Sequence, residues 1–86
     1  MADTTFFIKK EITTIGCRPE NDIYLADASV SRKHAAIKAD DGMRYEVRDF
    51  GSSNGLYVNN EKVERKFLKD GDLLRFGAIE TIFKLK

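Results

Sequence analysis

The chain has 86 residues, enough for one small domain, since a chain of this size buries only about 60–65% of its unfolded surface. Hydrophobic residues make up 42%, which supplies a single core, and 15 basic residues against 14 acidic ones leave a net charge of +1. The signs interleave, as in Lys62-Val63-Glu64-Arg65-Lys66, whereas a nucleic-acid or membrane-surface binder carries a one-signed field. The only cysteine is Cys17 and the only histidine is His34. That excludes an internal disulfide and leaves no metal-ligand spacing, so no cofactor or metal is expected. No apolar run approaches a membrane span and no signal-peptide pattern opens the chain. An intracellular location is the expectation, cytoplasm and nucleus not being distinguishable.

In chain order, the signals are short alternating runs punctuated by turn residues, with no helical period. Thr5–Ile8 and Ile12–Ile15 flank a charged turn at Lys9-Lys10-Glu11. Ile23-Tyr24-Leu25 alternates inward and outward. His34–Ala39 leads into the turn Asp40-Asp41-Gly42, where glycine supplies positive φ. In Arg44–Asp49, Tyr45 and Val47 point one way and Arg44, Glu46 and Arg48 the other. Gly51-Ser52-Ser53-Asn54-Gly55 is a loop by composition. Leu56-Tyr57-Val58 and Lys62-Val63 bracket a hairpin at Asn59-Asn60-Glu61. Asp70-Gly71-Asp72 precedes a strand at Leu73–Phe76, Gly77-Ala78 breaks that run, and Glu80–Leu85 closes the chain. Nine or so strands with a turn every eight to ten residues predict an all-β sandwich or closed barrel.

In a sandwich the sheets carry stability and the loops carry binding. Three loops gather polar chemistry: Gly16–Asn21, Ser29–His34 and Gly51–Gly55. They hold hydroxyls (Ser29, Ser31, Ser52, Ser53), amides (Asn21, Asn54) and cations (Arg18, Arg32, Lys33). That donor set suits a phosphate, which needs several charge-assisted hydrogen bonds. It is also the composition of ordinary tight turns, so the residues alone leave both readings open.

At these loops the sequence resembles the forkhead-associated (FHA) domain. Ile15-Gly16 with Asp22-Ile23-Tyr24-Leu25, then Val30-Ser31-Arg32-Lys33-His34-Ala35, resemble the family's opening glycine, its DIxL strand and its SRxHA segment. Asp49 through Gly55 with Leu56-Tyr57-Val58-Asn59, then Leu68-Lys69-Asp70-Gly71-Asp72 and Phe76-Gly77, resemble the later segments, in order and at matching spacing. The resemblance implies a two-sheet β-sandwich of the SMAD/FHA type with about 11 short strands. The front of the chain is short enough that the first strand is open to being absent. It implies one domain over residues 1–86, a monomer or one module of a larger multidomain protein.

The function so implied is phosphothreonine-peptide binding, hence phosphorylation-dependent protein–protein interaction in signalling. The partner is a phosphothreonine-containing protein or peptide, not nucleic acid and not a membrane. By resemblance, Ser31 gives its hydroxyl to the phosphate, Arg32 faces it, Ser53 supplies a further donor, and Asn54 clamps the peptide backbone. Gly16, His34 and Gly55 support the site. A slot for the γ-methyl group favours threonine, and the loops near Ala26–Ser29 and Gly77–Glu80 select the residues beyond it.

One position departs from the family. The arginine that follows the opening glycine is Cys17 here, and Arg18 comes one residue later. Neighbours on an extended stretch point to opposite sides, unless a bulge re-aims them, so whether Arg18 substitutes is left open. The departure motivates an alternative: a phosphate-independent assembly module docking through Phe6, Tyr24, Tyr57 and Ile82. Catalysis is not expected. Asp49-Phe50-Gly51 spells a kinase triplet, but the other kinase segments have no room in this chain. Ser31 and His34 are too close in sequence to form, with Asp49, a nucleophile elbow and its base.

Overall fold

The computed structural model describes residues 4–7, 10–40 and 44–84, the first of these segments by its backbone alone. Ten strands are present among them: β1 (Thr4–Phe7), β2 (Ile12–Gly16), β3 (Ile23–Tyr24), β4 (Ala35–Ala39), β5 (Tyr45–Asp49), β6 (Leu56–Val58), β7 (Glu61–Val63), β8 (Arg65–Leu68), β9 (Leu73–Phe76) and β10 (Ile79–Lys84). They form two five-stranded sheets, one ordered β1-β10-β9-β6-β7 and the other β3-β2-β4-β5-β8. Of the sandwich or closed barrel that the turn spacing predicted, the fold is the two-sheet sandwich that the resemblance implied.

Alternation places the core. Ile15, Ile37 and Val47 of the second sheet and Leu56, Leu74, Phe76 and Phe83 of the first are fully buried, and Tyr45 tilts its ring onto Phe83 at 5.4 Å. Burying a side chain of this size stabilises the fold by about 1.5–3 kcal/mol. On β5, Tyr45 and Val47 face the core and Glu46 and Arg48 face outward, whereas β2 buries Thr13 beside Ile15 and exposes Ile12.

The turns follow their residue chemistry. Asn59 and Asn60 both have positive φ (51° and 71°), a conformation Asn tolerates better than most residues, and they join β6 to β7 directly, so Glu61 belongs to the strand. Asp40 closes the β4–β5 hairpin, its Oδ1 accepting the Arg44 backbone N–H at 3.0 Å. Asp41 and Gly42 of that expected turn, with Ile8, Lys9 and Leu85 from other expected elements, lie outside the described residues.

Arg65–Leu68 was not expected as a strand. It pairs with β5, while β7 pairs with β6 in the other sheet. Glu64 alone joins them, so the chain changes sheets with no glycine or proline to mark the crossing. At the far end from the polar loops, Asn59 fastens β6 to the β8–β9 turn. Its Nδ2 donates to Asp72 Oδ1 at 3.0 Å and its Oδ1 accepts the Leu73 N–H at 3.0 Å. Asn59 and Asp72, which end two of the stretches that resemble the family, thus hold these turns together.

Candidate phosphopeptide-binding site

The three polar loops leave their strands at one end of the sandwich and are tied to one another. Gly16 ends β2 where the Arg32 carbonyl presses close; a Cβ there would sit 2.1 Å from that oxygen, so only glycine admits the approach. The Asn21 amide completes the join, its Nδ2 donating to Arg18 O at 3.0 Å and to Arg32 O at 2.8 Å. Cys17 N–H donates to Ser31 O at 3.0 Å.

His34 is fully buried between loops. Its Nδ1 accepts the Ser31 backbone N–H at 3.1 Å, and its Nε2 lies 2.8 Å from Gly55 O. Accepting at one nitrogen and donating at the other requires the neutral ring with the proton on Nε2. Phe76 packs edge-on against it at 5.6 Å.

The loop Gly51–Gly55 is shaped by Asp49. That carboxylate accepts from the N–H groups of Gly51 (3.0 Å) and Ser52 (3.1 Å) and from the Ser52 hydroxyl (2.6 Å), and Ser52 Oγ in turn accepts the Gly55 N–H at 3.0 Å. Gly55 takes φ +85° at the end of the loop.

These ties bring Ser31, Ser53 and Asn54 to one surface. Ser31 Oγ accepts the Ser53 N–H at 3.1 Å, which polarises the hydroxyl and leaves its proton free to donate outward. Asn54 Nδ2 donates to Ser29 O at 2.8 Å; the amide keeps a second N–H and its Oδ1 for a ligand. Ser53 and Asn54 are exposed and Ser31 is half-buried. Such a cradle offers hydroxyl and amide donors to an anion without needing to assemble first.

Ser29, one of the loop hydroxyls, is a junction between segments. Its carbonyl holds Asn54, its Oγ accepts the Ala78 N–H at 2.8 Å, and its hydroxyl and N–H both donate to Asp27 Oδ2. Gly77, with φ +61°, admits the Ser29 carbonyl where a Cβ would stand 2.2 Å from it. The two segments expected to select flanking peptide residues, Ala26–Ser29 and Gly77–Glu80, are therefore bonded together. The Ser29 hydroxyl and N–H hold the Asp27 carboxyl below the ordinary carboxylate range. Asp22 is lowered chiefly by its hydrogen bond from Lys10 (2.6 Å) and also by the Thr14 N–H (2.9 Å).

The cations are placed differently from the hydroxyls. Arg18 and Arg32, both exposed, line a concavity of about 420 Å³ with Thr14, Glu20, Asn21 and Lys33. Ser31, Ser53 and Asn54 are not among its lining residues. Cys17 is half-buried against the core. Cys17 and Arg18 both lie beyond the end of β2, and Arg18 is exposed where Cys17 is half-buried.

The docking face suggested for the alternative reading does not exist as one surface. Tyr24 is in the second sheet, while Tyr57, Ile82 and the backbone of Phe6 belong to the first. Tyr57 is in addition covered by the Arg75 guanidinium, 3.9 Å from its ring centre. Among the described residues no group of three or more His, Cys, Asp or Glu side chains is gathered as a metal site, and no helix is long and apolar enough to cross a membrane.

Comparison with known proteins agrees with this architecture. The chain is 42% identical over 82 residues to an oxoglutarate dehydrogenase inhibitor of Corynebacterium diphtheriae, covering 95% of this chain and 57% of that protein. It is 38% identical to the glycogen accumulation regulator GarA of Mycolicibacterium smegmatis, covering 95% and 51%. The chain thus spans about half the length of the curated relatives it matches. Among solved structures, EmbR of Mycobacterium tuberculosis in complex with a low-affinity phosphopeptide superposes with a TM-score of 0.83 at 40% identity, over 90% of this chain and 20% of that one. A structure from an analysis of phosphothreonine-dependent FHA domain interactions gives 0.80 at 36%, over 85% and 75%. Residues 13–77 match the sequence profile of the FHA domain, a stretch that runs from β2 to the glycine after β9 and takes in every loop of the cradle, and the chain accordingly belongs to the FHA domain family.

Proposed function

We propose that this FHA domain is a phosphothreonine-peptide reader mediating phosphorylation-dependent protein–protein interaction. The observation that carries the proposal is the convergence of the Ser31 hydroxyl with Ser53 at 3.1 Å, beside an Asn54 amide tethered at 2.8 Å to Ser29 O. In this reading Ser31 and Ser53 hydroxyls donate to the phosphate, Asn54 clamps the peptide backbone, and Arg18 and Arg32 supply positive charge at the cradle's border. His34, Gly16 and Gly55 hold the loops in place. The solved relative that carries a phosphopeptide supports the ligand class; that the ligand of this chain is a phosphothreonine peptide is our inference.

The module is proposed to work without catalysis, as one domain over residues 1–86, with a phosphorylated intracellular protein as partner rather than nucleic acid or a membrane. The geometry around Ser31 favours binding over hydrolysis. His34 Nδ1 takes the Ser31 backbone N–H, and the Ser31 hydroxyl is bonded to Ser53 instead, so the imidazole is not aimed to activate it. The relatives named above are called an inhibitor and a regulator.

The test is calorimetric titration of a degenerate phosphothreonine peptide library against its unphosphorylated counterpart. Binding of the phosphorylated form alone, weakening as salt rises because the charges are exposed, is expected. Equal heats from both forms refute the proposal.

A further inference from the structure

We propose that the concavity lined by Thr14, Arg18, Glu20, Asn21, Arg32 and Lys33 is a second anion subsite, taking a further acidic group carried by the same peptide close to its phosphothreonine. The proposal rests on the phosphopeptide reading above and names the ligand class more narrowly.

Charge is the first argument. Three cations share this concavity with one carboxylate. Lys10, Arg44 and Arg48 each have a carboxylate partner, Asp22 at 2.6 Å, Asp40 at 3.2 Å and Glu46 at 3.9 Å. The Arg18 and Arg32 side chains have neither hydrogen bond nor ion pair among the described residues, and Lys33 rests its ammonium over the Phe50 ring at 5.6 Å. Like charges gathered on one surface repel unless an anion joins them.

Rigidity is the second. Both arginine carbonyls are held by the one Asn21 amide, at 3.0 and 2.8 Å, and the Gly16 contact fixes the same two strands of chain. The backbone from which both arginines project is therefore set before a ligand arrives, though their side chains are not.

Position is the third. Arg32 directly follows Ser31, so the concavity adjoins the cradle there, with Arg18 and Arg32 on their common border. Consecutive peptide residues are about 3.3–3.6 Å apart when extended, so a side chain one or two positions from the phosphothreonine spans from one to the other. The displaced cation explains the departure at Cys17: the arginine given up next to Gly16 reappears at Arg18, facing the neighbouring concavity. The group recognised is a carboxylate or a second phosphate; both offer the planar or tetrahedral oxygens that a guanidinium fork engages.

The experiment is a set of titrations on peptides of one sequence: unmodified, singly phosphorylated on threonine, and singly phosphorylated with either glutamate or a second phosphothreonine placed within two positions on each side. With the wild-type chain at low salt, one of the flanking positions is expected to tighten binding about 3- to 10-fold over the singly phosphorylated peptide, with the phosphate arm exceeding the glutamate arm. Lys33→Gln is expected to reduce that gain while leaving the affinity for the singly phosphorylated peptide unchanged, and Arg18→Gln to remove most of it. No gain at any flanking position, or a gain retained in both variants, overturns the subsite while the phosphopeptide reading stands. Failure of every phosphorylated peptide to bind overturns that reading and the subsite with it.

Discussion

Replacing Gly16 with alanine tests the claim that the cradle is held by close backbone approach. The new methyl would lie 2.1 Å from the Arg32 carbonyl oxygen, 2.8 Å from its carbon and 2.7 Å from Asn21 Nδ2. Ordinary contact begins near about 3.5 Å, so the carbonyl must retreat by more than about 1 Å. It is backbone and cannot swing aside as a side-chain tip would. Its retreat breaks the Asn21 hydrogen bond of 2.8 Å and strains the adjoining Cys17 N–H to Ser31 O bond of 3.0 Å. Overpacking of this kind costs about 1–3 kcal/mol, and two hydrogen bonds add about 0.5–1.5 kcal/mol each. The expected loss is about 2–6 kcal/mol, a large part of the roughly 5–15 kcal/mol that holds a domain together. Urea unfolding measures it. Gly51→Ala is the matched control, because Gly51 has φ +69° but nothing within 4 Å of the added Cβ, so it reports only the left-handed penalty of about 1–2 kcal/mol. If Gly16→Ala proves no more costly than Gly51→Ala, the close-approach argument is wrong.

Three further outcomes are expected. Ser31→Ala removes a phosphate donor and strips the Ser53 N–H of its acceptor, and should weaken phosphopeptide binding about 10- to 150-fold with little change in unfolding midpoint; unaltered affinity by calorimetry would count against the cradle. His34→Ala leaves the Ser31 N–H and the Gly55 carbonyl without their buried partner and opens a cavity, a loss of about 3–5 kcal/mol, read as a lowered urea midpoint. For pH, Asp22 and Asp27 both protonate less readily folded than unfolded. Their contribution is thus fully present above the unfolded carboxylate value and fades as pH falls through and below about 4. Asp27→Asn should flatten that acid decline relative to wild type, and parallel acid limbs in the two proteins would contradict the assignment.

How much was legible depended on whether the physics was local. Tyr45 and Val47 alternate with charged neighbours, so β5 could be read directly, and Asn59-Asn60 announces its turn because few residues adopt positive φ twice running. Strand β8 could not be read. Arg65, Lys66 and Phe67 are all exposed on a sheet edge, and a strand that buries only its last residue has no alternating signature. Within the site, the residue types of Ser31, Ser53 and Asn54 were visible, but their meeting depends on β4 and β5 pairing in register, with Ala35 opposite Asp49. That Ser29 and Gly77 meet was illegible for the same reason: they lie 48 residues apart in sequence, and nothing local shows that the Ser29 carbonyl needs the space a Cβ on Gly77 would fill. Whether Arg18 takes the place of the arginine given up at Cys17 stayed open in the sequence, because both residues follow the end of β2, where strand alternation no longer applies.

The bonding of Ser29 to three segments at once has a kinetic corollary. A recognition surface whose loops are already fastened to one another has no slow rearrangement to complete after collision, so encounter and capture merge into one step. Selectivity among phosphorylated partners then resides in how long each stays rather than in how fast it arrives. A small module built this way samples many partners quickly and retains only those that fit.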